Sequence, residues 1–205
     1  MRSRTPEDLA GRCPRCFLPS PLCLCAELPS IPTRTELLVI RHHKETLKST
    51  NTARMAALAL PRCHIVSYGS PGQRFDASVL EDDGSTWLLF PDAQQTAAPE
   101  AEKPRRLIVL DGSWGQARRM VQRLPGLLRL PGLKLPPPPL DSRRLRRPPH
   151  PDGMSTIEAI AGALTYLEGE DVSRPLYDLH EKMIDRVLAS RGRGPAPSCD
   201  EDDGD

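Results

Sequence analysis

A chain of 205 residues is long enough for one domain with a small appendage and for a sizeable core. Hydrophobic residues make up 38% and aromatic residues 4%, so the core must be packed mainly from Leu, Ala, Val and Ile, and a broad stacking surface for single-stranded nucleic acid is disfavoured. The net charge of +1 predicts no partner by itself, and no apolar run reaches the ~18 residues that a membrane span needs.

Residues 1–12 carry charges and a proline where a secretory signal would carry an apolar stretch, so the expected compartment is the thiol-reducing cytosol. Four of the six cysteines follow as Cys13-x2-Cys16-x6-Cys23-x-Cys25, punctuated by Pro14, Pro19 and Pro21. In a reducing compartment such a cluster points to metal rather than disulfides, and residues 1–30 read as a small N-terminal knuckle of tight turns. Residues 35–41 read as a short buried strand, followed by the polar His42-His43-Lys44-Glu45. Thr50 or Asn51 can cap a helix that runs to Leu60 and stops at Pro61. Residues 64–68 and 86–90 are further strands, and 92–104 a loop. The apolar run Leu107-Ile108-Val109-Leu110 predicts another strand. Asp111-Gly112-Ser113-Trp114 then leads into a helix whose Trp114, Ala117, Val121 and Leu124 share a face.

Proline-rich residues 131–151 contain Arg143-Arg144-Leu145-Arg146-Arg147 and read as an extended excursion rather than a packed element. Residues 102–147 hold twelve Lys and Arg against three Asp and Glu, a balance of +9 that leaves −8 for the rest of the chain. Such a segment can attract a polyanion. Ser155-x-x-Glu158 has capping-box spacing and opens a helix to about Leu167. A last helix over residues 176–189 lines up Leu176, Leu179, Met183, Ile184 and Val187. Residues 191–205 form an acidic tail expected to be disordered. Strands that alternate with helices predict an α/β fold with many parallel pairs over residues 31–190.

Five groups of residues are candidates for chemistry. Four thiolates satisfy a tetrahedral zinc ion with no open position, which makes such a site structural; an iron–sulfur cluster or incidental thiols are the alternatives, and Cys63 and Cys199 stand apart. Asp111-Gly112-Ser113-Trp114 falls where open α/β sheets bind ligands, and the helix start beyond it offers N–H groups to a carboxylate. The same residues also read as a helix cap with a Trp anchor. They are not a nucleophile elbow, which needs Gly-x-Ser-x-Gly. Ser155 and Glu158 are explained by capping alone. His42, His43 and Glu45 read either as an acid/base group or as polar loop residues. The Arg143 to Arg147 run fits phosphate contact, which positions a nucleic acid without reading its sequence.

In this order, the Cys-Pro-Arg-Cys and Cys-Leu-Cys pairs, Arg41-His42-His43-Lys44-Glu45 leading to Asn51-Thr52-Ala53-Arg54, Leu110-Asp111-Gly112-Ser113-Trp114 and Ser155-Thr156-Ile157-Glu158-Ala159 resemble the DTW-domain family. These are tRNA-uridine aminocarboxypropyltransferases that use S-adenosylmethionine, and the likeness runs from Cys13 to about Leu188. The family's Asp-x-Thr-Trp is met with Ser113 in the Thr position, which keeps the hydroxyl; its usual His-Pro is His42-His43 here. The resemblance implies a SPOUT-like knotted sheet with flanking helices, which no periodicity argument would propose. It implies transfer of the 3-amino-3-carboxypropyl group to N3 of a tRNA uridine, with release of methylthioadenosine. Asp111, Ser113 and Trp114 would be the catalytic group, Asp111 accepting the N3 proton or orienting the base. Leu88, Leu89, Phe90, Pro91, Leu110, Gly112, Ser155 and Thr156 would line the S-adenosylmethionine pocket. Arg143, Arg144, Arg146 and Arg147 would hold tRNA phosphates, and Cys13, Cys16, Cys23 and Cys25 a structural Zn2+. The partner is then tRNA, with no membrane, and the sequence identifies no interface between copies. Two rivals stand beside this reading: a SPOUT-type RNA methyltransferase with the methyl group forward, and a non-catalytic zinc-knuckle RNA-binding protein.

Overall fold

Alternation along the first strand sets up a sheet buried on both sides. In β1 (Glu36–His42), Leu37 and Val39 join one apolar cluster and Leu38 and Ile40 a second, on the opposite face, and all four are buried. The computed structural model describes residues 10–81, 84–91, 102–139, 143, 145 and 153–192. In chain order, α1 (Thr52–Ala59), β2 (Cys63–Tyr68), β3 (Thr86–Leu89), β4 (Arg106–Asp111), α2 (Trp114–Arg123), β5 (Gly132–Leu133), α3 (Thr156–Glu168) and α4 (Glu170–Ala189) follow β1. The five strands lie in the order β2-β1-β4-β3-β5 and every pair is parallel. Parallel strands covered on both faces read as continuous apolar runs, which is why Leu107-Ile108-Val109-Leu110 shows no polar alternation.

Helices α1, α3 and α4 cover the face that carries Leu37, Val39, Leu107 and Val109. The other face, with Leu38, Ile40, Leu88 and Ile108, is covered by Ala117, Met120, Val121 and Leu124 from α2 and its end and by Leu127 from the 3-10 turn Pro125–Arg129. Cys16, Leu18 and Leu24 of the knuckle are buried in the first cluster, so the cysteine segment shares its core with α1, α3 and α4. From β1 the chain turns outward to β2, whereas from β4 it turns the opposite way to β5. The strand order therefore diverges between β1 and β4, and the crevice beyond their carboxyl ends is where such a sheet binds ligands.

Two expectations are corrected. Residues 131–151 are not wholly an excursion: Gly132–Leu133 adds β5 as an edge strand on β3, held by the Leu88 N–H to Pro131 O at 2.9 Å and the Phe90 N–H to Leu133 O at 3.3 Å. Two residues in a proline-rich run give no periodicity from which to read a strand. The last helix begins at Glu170, not at 176, and runs through Pro175. Gly169 at φ +103° breaks α3 from α4, and Glu170 and Asp171 in the first turn favour the helix dipole; Pro175 removes one backbone bond without ending the helix. The acidic tail beyond residue 192 and most of the 92–104 loop lie outside the described residues. No helix among the described residues is long and apolar enough to cross a membrane.

Candidate functional site

The cysteine segment folds as one tight turn onto another. After Cys13-Pro14-Arg15-Cys16, Phe17 takes the left-handed conformation (φ 63°) and its N–H returns to Cys13 O at 2.9 Å, while the Cys13 N–H reaches Leu18 O at 2.9 Å. The pairs Cys13–Cys25 and Cys16–Cys23 stand 3.6 and 3.7 Å apart at sulfur, and all four sulfurs lie within 4.8 Å of one another. Zinc–thiolate bonds of about 2.3 Å in a tetrahedron set sulfur–sulfur edges of about 3.8 Å, so the cluster has the dimensions of a four-thiolate metal site. The backbone N–H of Cys16 lowers the Cys13 thiol to about 6, whereas burial and the neighbouring thiols push Cys25 up. Four such groups can hold a metal ion. Cys63 is buried alone on β2, its thiol pushed up to about 12 by burial, and Cys199 lies outside the described residues.

At the carboxyl end of β4, Asp111 is 4% exposed. Its Oδ2 accepts the Asn51 Nδ2–H at 2.6 Å and its Oδ1 accepts the Thr156 hydroxyl at 2.6 Å. Asn51 is the N-cap of α1 and also accepts the Arg54 N–H at 2.9 Å; Thr156 is the first residue of α3. One carboxylate thus ties two helix starts to the end of the central strand. Burial raises the Asp111 carboxyl above its ordinary range, against the two hydrogen bonds. Arg54 donates to the carbonyls of Lys48, at 3.0 Å, and Thr46, and its guanidinium lies 3.8 Å over the Phe17 ring, which joins the knuckle to α1. Burial lowers the Arg54 guanidinium to about 10. Arg41, paired in register with Asp111, has a buried Nε with no hydrogen-bond partner among the described residues, and burial also lowers its guanidinium.

Beside this network opens a cleft of about 540 Å³. Leu89, Phe90 and Pro91 from β3 and its end, Val109 and Leu110 from β4, and Leu133 and Leu135 around β5 form its apolar walls; Gly112, Trp114, Ser155 and Thr156 line it from the two helix starts. Arg118 and Lys134 are its charged residues, and no carboxylate is among the described residues lining it. A side-chain carbon at position 112 would stand 3.1 Å from Gln116 Cβ and Oε1, so the glycine lets the strand pass directly into the capped helix.

A DTW-domain family model matches residues 10–188. The chain belongs to the DTW-domain family. It is 28% identical over 200 residues to the tRNA-uridine aminocarboxypropyltransferase 2 of Drosophila melanogaster, covering 89% of this chain and 79% of that protein. It is 32% identical over 189 residues to the Mus musculus protein of the same name, covering 82% and 61%, so it spans under two thirds of that relative. Identity to tRNA-uridine aminocarboxypropyltransferase A of Arabidopsis thaliana is 26% over 214 residues, covering 84% and 79%. No solved structure matches the chain.

In this DTW-domain protein, seven of the eight residues expected around S-adenosylmethionine line the cleft: Leu89, Phe90, Pro91, Leu110, Gly112, Ser155 and Thr156. Leu88 does not: it is fully buried in the second core, two residues further from the carboxyl end of the sheet than Phe90 on the same face. Of the expected catalytic group, Trp114 lines the cleft, Asp111 lies behind its wall, and Ser113 is the exposed N-cap of α2: Ser113 Oγ accepts the Gln116 N–H at 3.4 Å and the Ser113 N–H donates to Gln116 Oε1 at 2.6 Å. Ser155 likewise caps α3 with Glu158, and its hydroxyl lies 3.4 Å from Nε2 of the buried His180. His43, Lys44 and Glu45 form a 3-10 turn, and the Glu45 carboxylate is taken by Lys48 at 2.5 Å, which removes it from a free acid/base group with the histidines. Arg143 is engaged by Glu181 at 2.9 Å and Asp185 at 2.6 Å on α4; Arg144, Arg146 and Arg147 lie outside the described residues. Asn51 and Thr156 as partners of Asp111, and Arg118 and Lys134 in the cleft, have no spacing signal that could have announced them.

Proposed function

We propose that this chain is a tRNA-uridine aminocarboxypropyltransferase that moves the 3-amino-3-carboxypropyl group of S-adenosylmethionine to N3 of a tRNA uridine. The observation that carries it is the cleft at the carboxyl ends of β3, β4 and β5, apolar in its walls and rimmed by two helix starts, in a member of this family. Its volume of about 540 Å³ suits a nucleoside-sized ligand, since small-molecule pockets run ~300–1,000 Å³. The donor set fits as well: Leu89, Val109, Leu133 and Leu135 offer an apolar slot for an adenine ring, and Arg118 and Lys134, with no carboxylate among the described lining residues, favour the ligand's own carboxylate. When bound, S-adenosylmethionine supplies a sulfonium that activates the carbons attached to sulfur toward a nucleophile.

The chain's residues then orient and deprotonate. Thr156 donates to Asp111 Oδ1 and lines the cleft, so its oxygen can accept the proton leaving N3 while its own proton passes to the carboxylate. Burial, which raises the Asp111 carboxyl, makes it the stronger base for that relay. Asp111 also fixes the two helix starts around the reacting atoms, and positioning of this kind supplies much of the acceleration. Cys13, Cys16, Cys23 and Cys25 hold a structural zinc ion, Arg144, Arg146 and Arg147 contact tRNA phosphates, and the site of action is the cytosol. The parallel sheet with its site at the carboxyl edge supports a SPOUT-like reading, and the knot belongs to that reading.

Incubation of the full chain with unmodified tRNA and S-adenosylmethionine, then nucleoside mass analysis, tests the proposal. The expected products are an aminocarboxypropyl-uridine and methylthioadenosine. A methylated nucleoside with S-adenosylhomocysteine would make the chain a methyltransferase, and failure to bind S-adenosylmethionine would leave it a non-catalytic RNA-binding protein.

A further inference from the structure

The cleft occupies the β4-β3-β5 half of the carboxyl edge, and the transfer reading leaves the β1-β2 half without a role. Two adjacent histidines and two aromatic rings gather there. His42 ends β1 in register with Tyr68, which ends β2; their ring centroids are 6.5 Å apart. His43 stands 4.8 Å from His42, and Phe75 meets Tyr68 edge-on at 5.5 Å. All four are partly exposed, and Tyr68 and Phe75 also pack against the edge of the second core. Glycines flank His42 on both sides. A side-chain carbon at position 69 would lie 3.8 Å from His42 Nε2, and one at position 112 would lie 3.5 Å from His42 Cβ. Gly69 therefore leaves the approach to His42 Nε2 without a side chain, and Gly112, packed against His42 Cβ, belongs to the cleft as well.

The state of His42 follows from its contacts. Its Nδ1 accepts the Lys44 N–H at 3.3 Å, which places the proton of a neutral ring on Nε2. Burial, reinforced by His43, Lys44 and Arg119 and opposed by Glu45, holds His42 below its ordinary value, so the ring is neutral at pH 7. A neutral imidazole beside a tyrosine offers a nucleobase a π-face to stack on and an N–H for a carbonyl oxygen.

We propose that His42 and Tyr68 form the acceptor subsite, a ledge that receives the target pyrimidine across Gly112 from the bound donor. This rests on the transfer reading and adds to it where the nucleobase sits. With the two planes tilted by 59°, one ring stacks on the base and the other borders it, so the ledge takes a single base, consistent with a chain too poor in aromatics for an extended strand.

The test uses His42→Ala, His42→Phe, Tyr68→Leu and Tyr68→Phe in the full chain. The readouts are the Kd for unmodified tRNA without S-adenosylmethionine, the Kd for S-adenosylmethionine, and the KM for tRNA. His42→Ala and Tyr68→Leu are expected to weaken tRNA binding and raise its KM about tenfold, as loss of one stacked base does, with S-adenosylmethionine binding unchanged as proof of an intact fold. His42→Phe and Tyr68→Phe, which keep a ring, should recover part of that loss. Unchanged tRNA binding in both truncations, or equal loss of S-adenosylmethionine binding, overturns the ledge. If the wild-type chain transfers nothing, the enzymatic reading fails by itself, and the tRNA Kd values still decide the ledge.

Discussion

Asp111 is a buried carboxylate with a side-chain donor on each oxygen. Replacing it by Asn keeps one oxygen for the Asn51 amide and turns an NH2 toward Thr156, whose hydroxyl can accept in place of donating. Asn51 cannot simply flip, because its own oxygen caps the Arg54 N–H. Asp111→Asn is therefore expected to change stability by only about 1 kcal/mol in a denaturant titration, since neutral hydrogen bonds replace charge-assisted ones without leaving a donor unpaired. Transfer to tRNA should fall by about 10² or more, as for loss of a proton acceptor, while the Kd for S-adenosylmethionine stays within a few-fold. Undiminished turnover would remove Asp111 from the mechanism. The place of this aspartate between a strand end and a helix start was legible in the sequence, since it ends an apolar run and precedes Gly-Ser-Trp. Its partners were not: Asn51 and Thr156 lie 60 and 45 residues away, and only the parallel crossovers bring them together.

At the scale of elements, capping signals translated most directly into structure. Asn51 opens α1, Ser113 opens α2 and Ser155 opens α3, each through a side-chain oxygen on a backbone N–H. Such signals are local, and a four-residue window contains both partners. β5 was illegible for the opposite reason, because two residues become a strand only by pairing with β3. The geometry also separates two meanings of Ser113. As a cap, Ser113→Ala should destabilise the chain by about 1 kcal/mol and Ser113→Asn should restore the thermal midpoint. As a hydroxyl that contacts substrate, it would tolerate neither. Parallel melting curves and transfer rates on the two variants distinguish these, and activity restored together with stability in Ser113→Asn is the expected outcome.

Across the whole molecule, the cysteine knuckle is joined to the sheet domain by Leu18 and Leu24 in the shared core and by Phe17 under Arg54. Loss of metal should then be felt well beyond the knuckle. Metal analysis is expected to find one zinc per chain. Cys16→Ser, or zinc removal by a strong chelator, should lower the midpoint of the single unfolding transition. A loss of about 3 kcal/mol corresponds to roughly 6–12 °C in a chain of this size. A separate low-temperature transition with an unchanged main one would show that the knuckle is energetically independent.

Charge is the other property that belongs to the molecule as a whole, and here sequence and structure diverge in a useful way. The +9 of residues 102–147 is a formal sum, but Arg143 is matched by Glu181 and Asp185 on α4, which together outweigh its charge. Exposed pairs of this kind add little stability, yet they cancel the local field that a phosphate would sense. Arg143→Gln is therefore expected to leave the salt dependence of tRNA binding nearly unchanged. The combined Arg144→Gln, Arg146→Gln and Arg147→Gln variant should reduce the slope of log Kd against log salt by roughly two to three, since each phosphate contact contributes about 0.7–0.9 of a released counterion. Filter binding between about 50 and 200 mM salt resolves a change of that size. A slope that moves with Arg143 and not with the other three would place the phosphate contact at the Arg143 end of the run, beside α4.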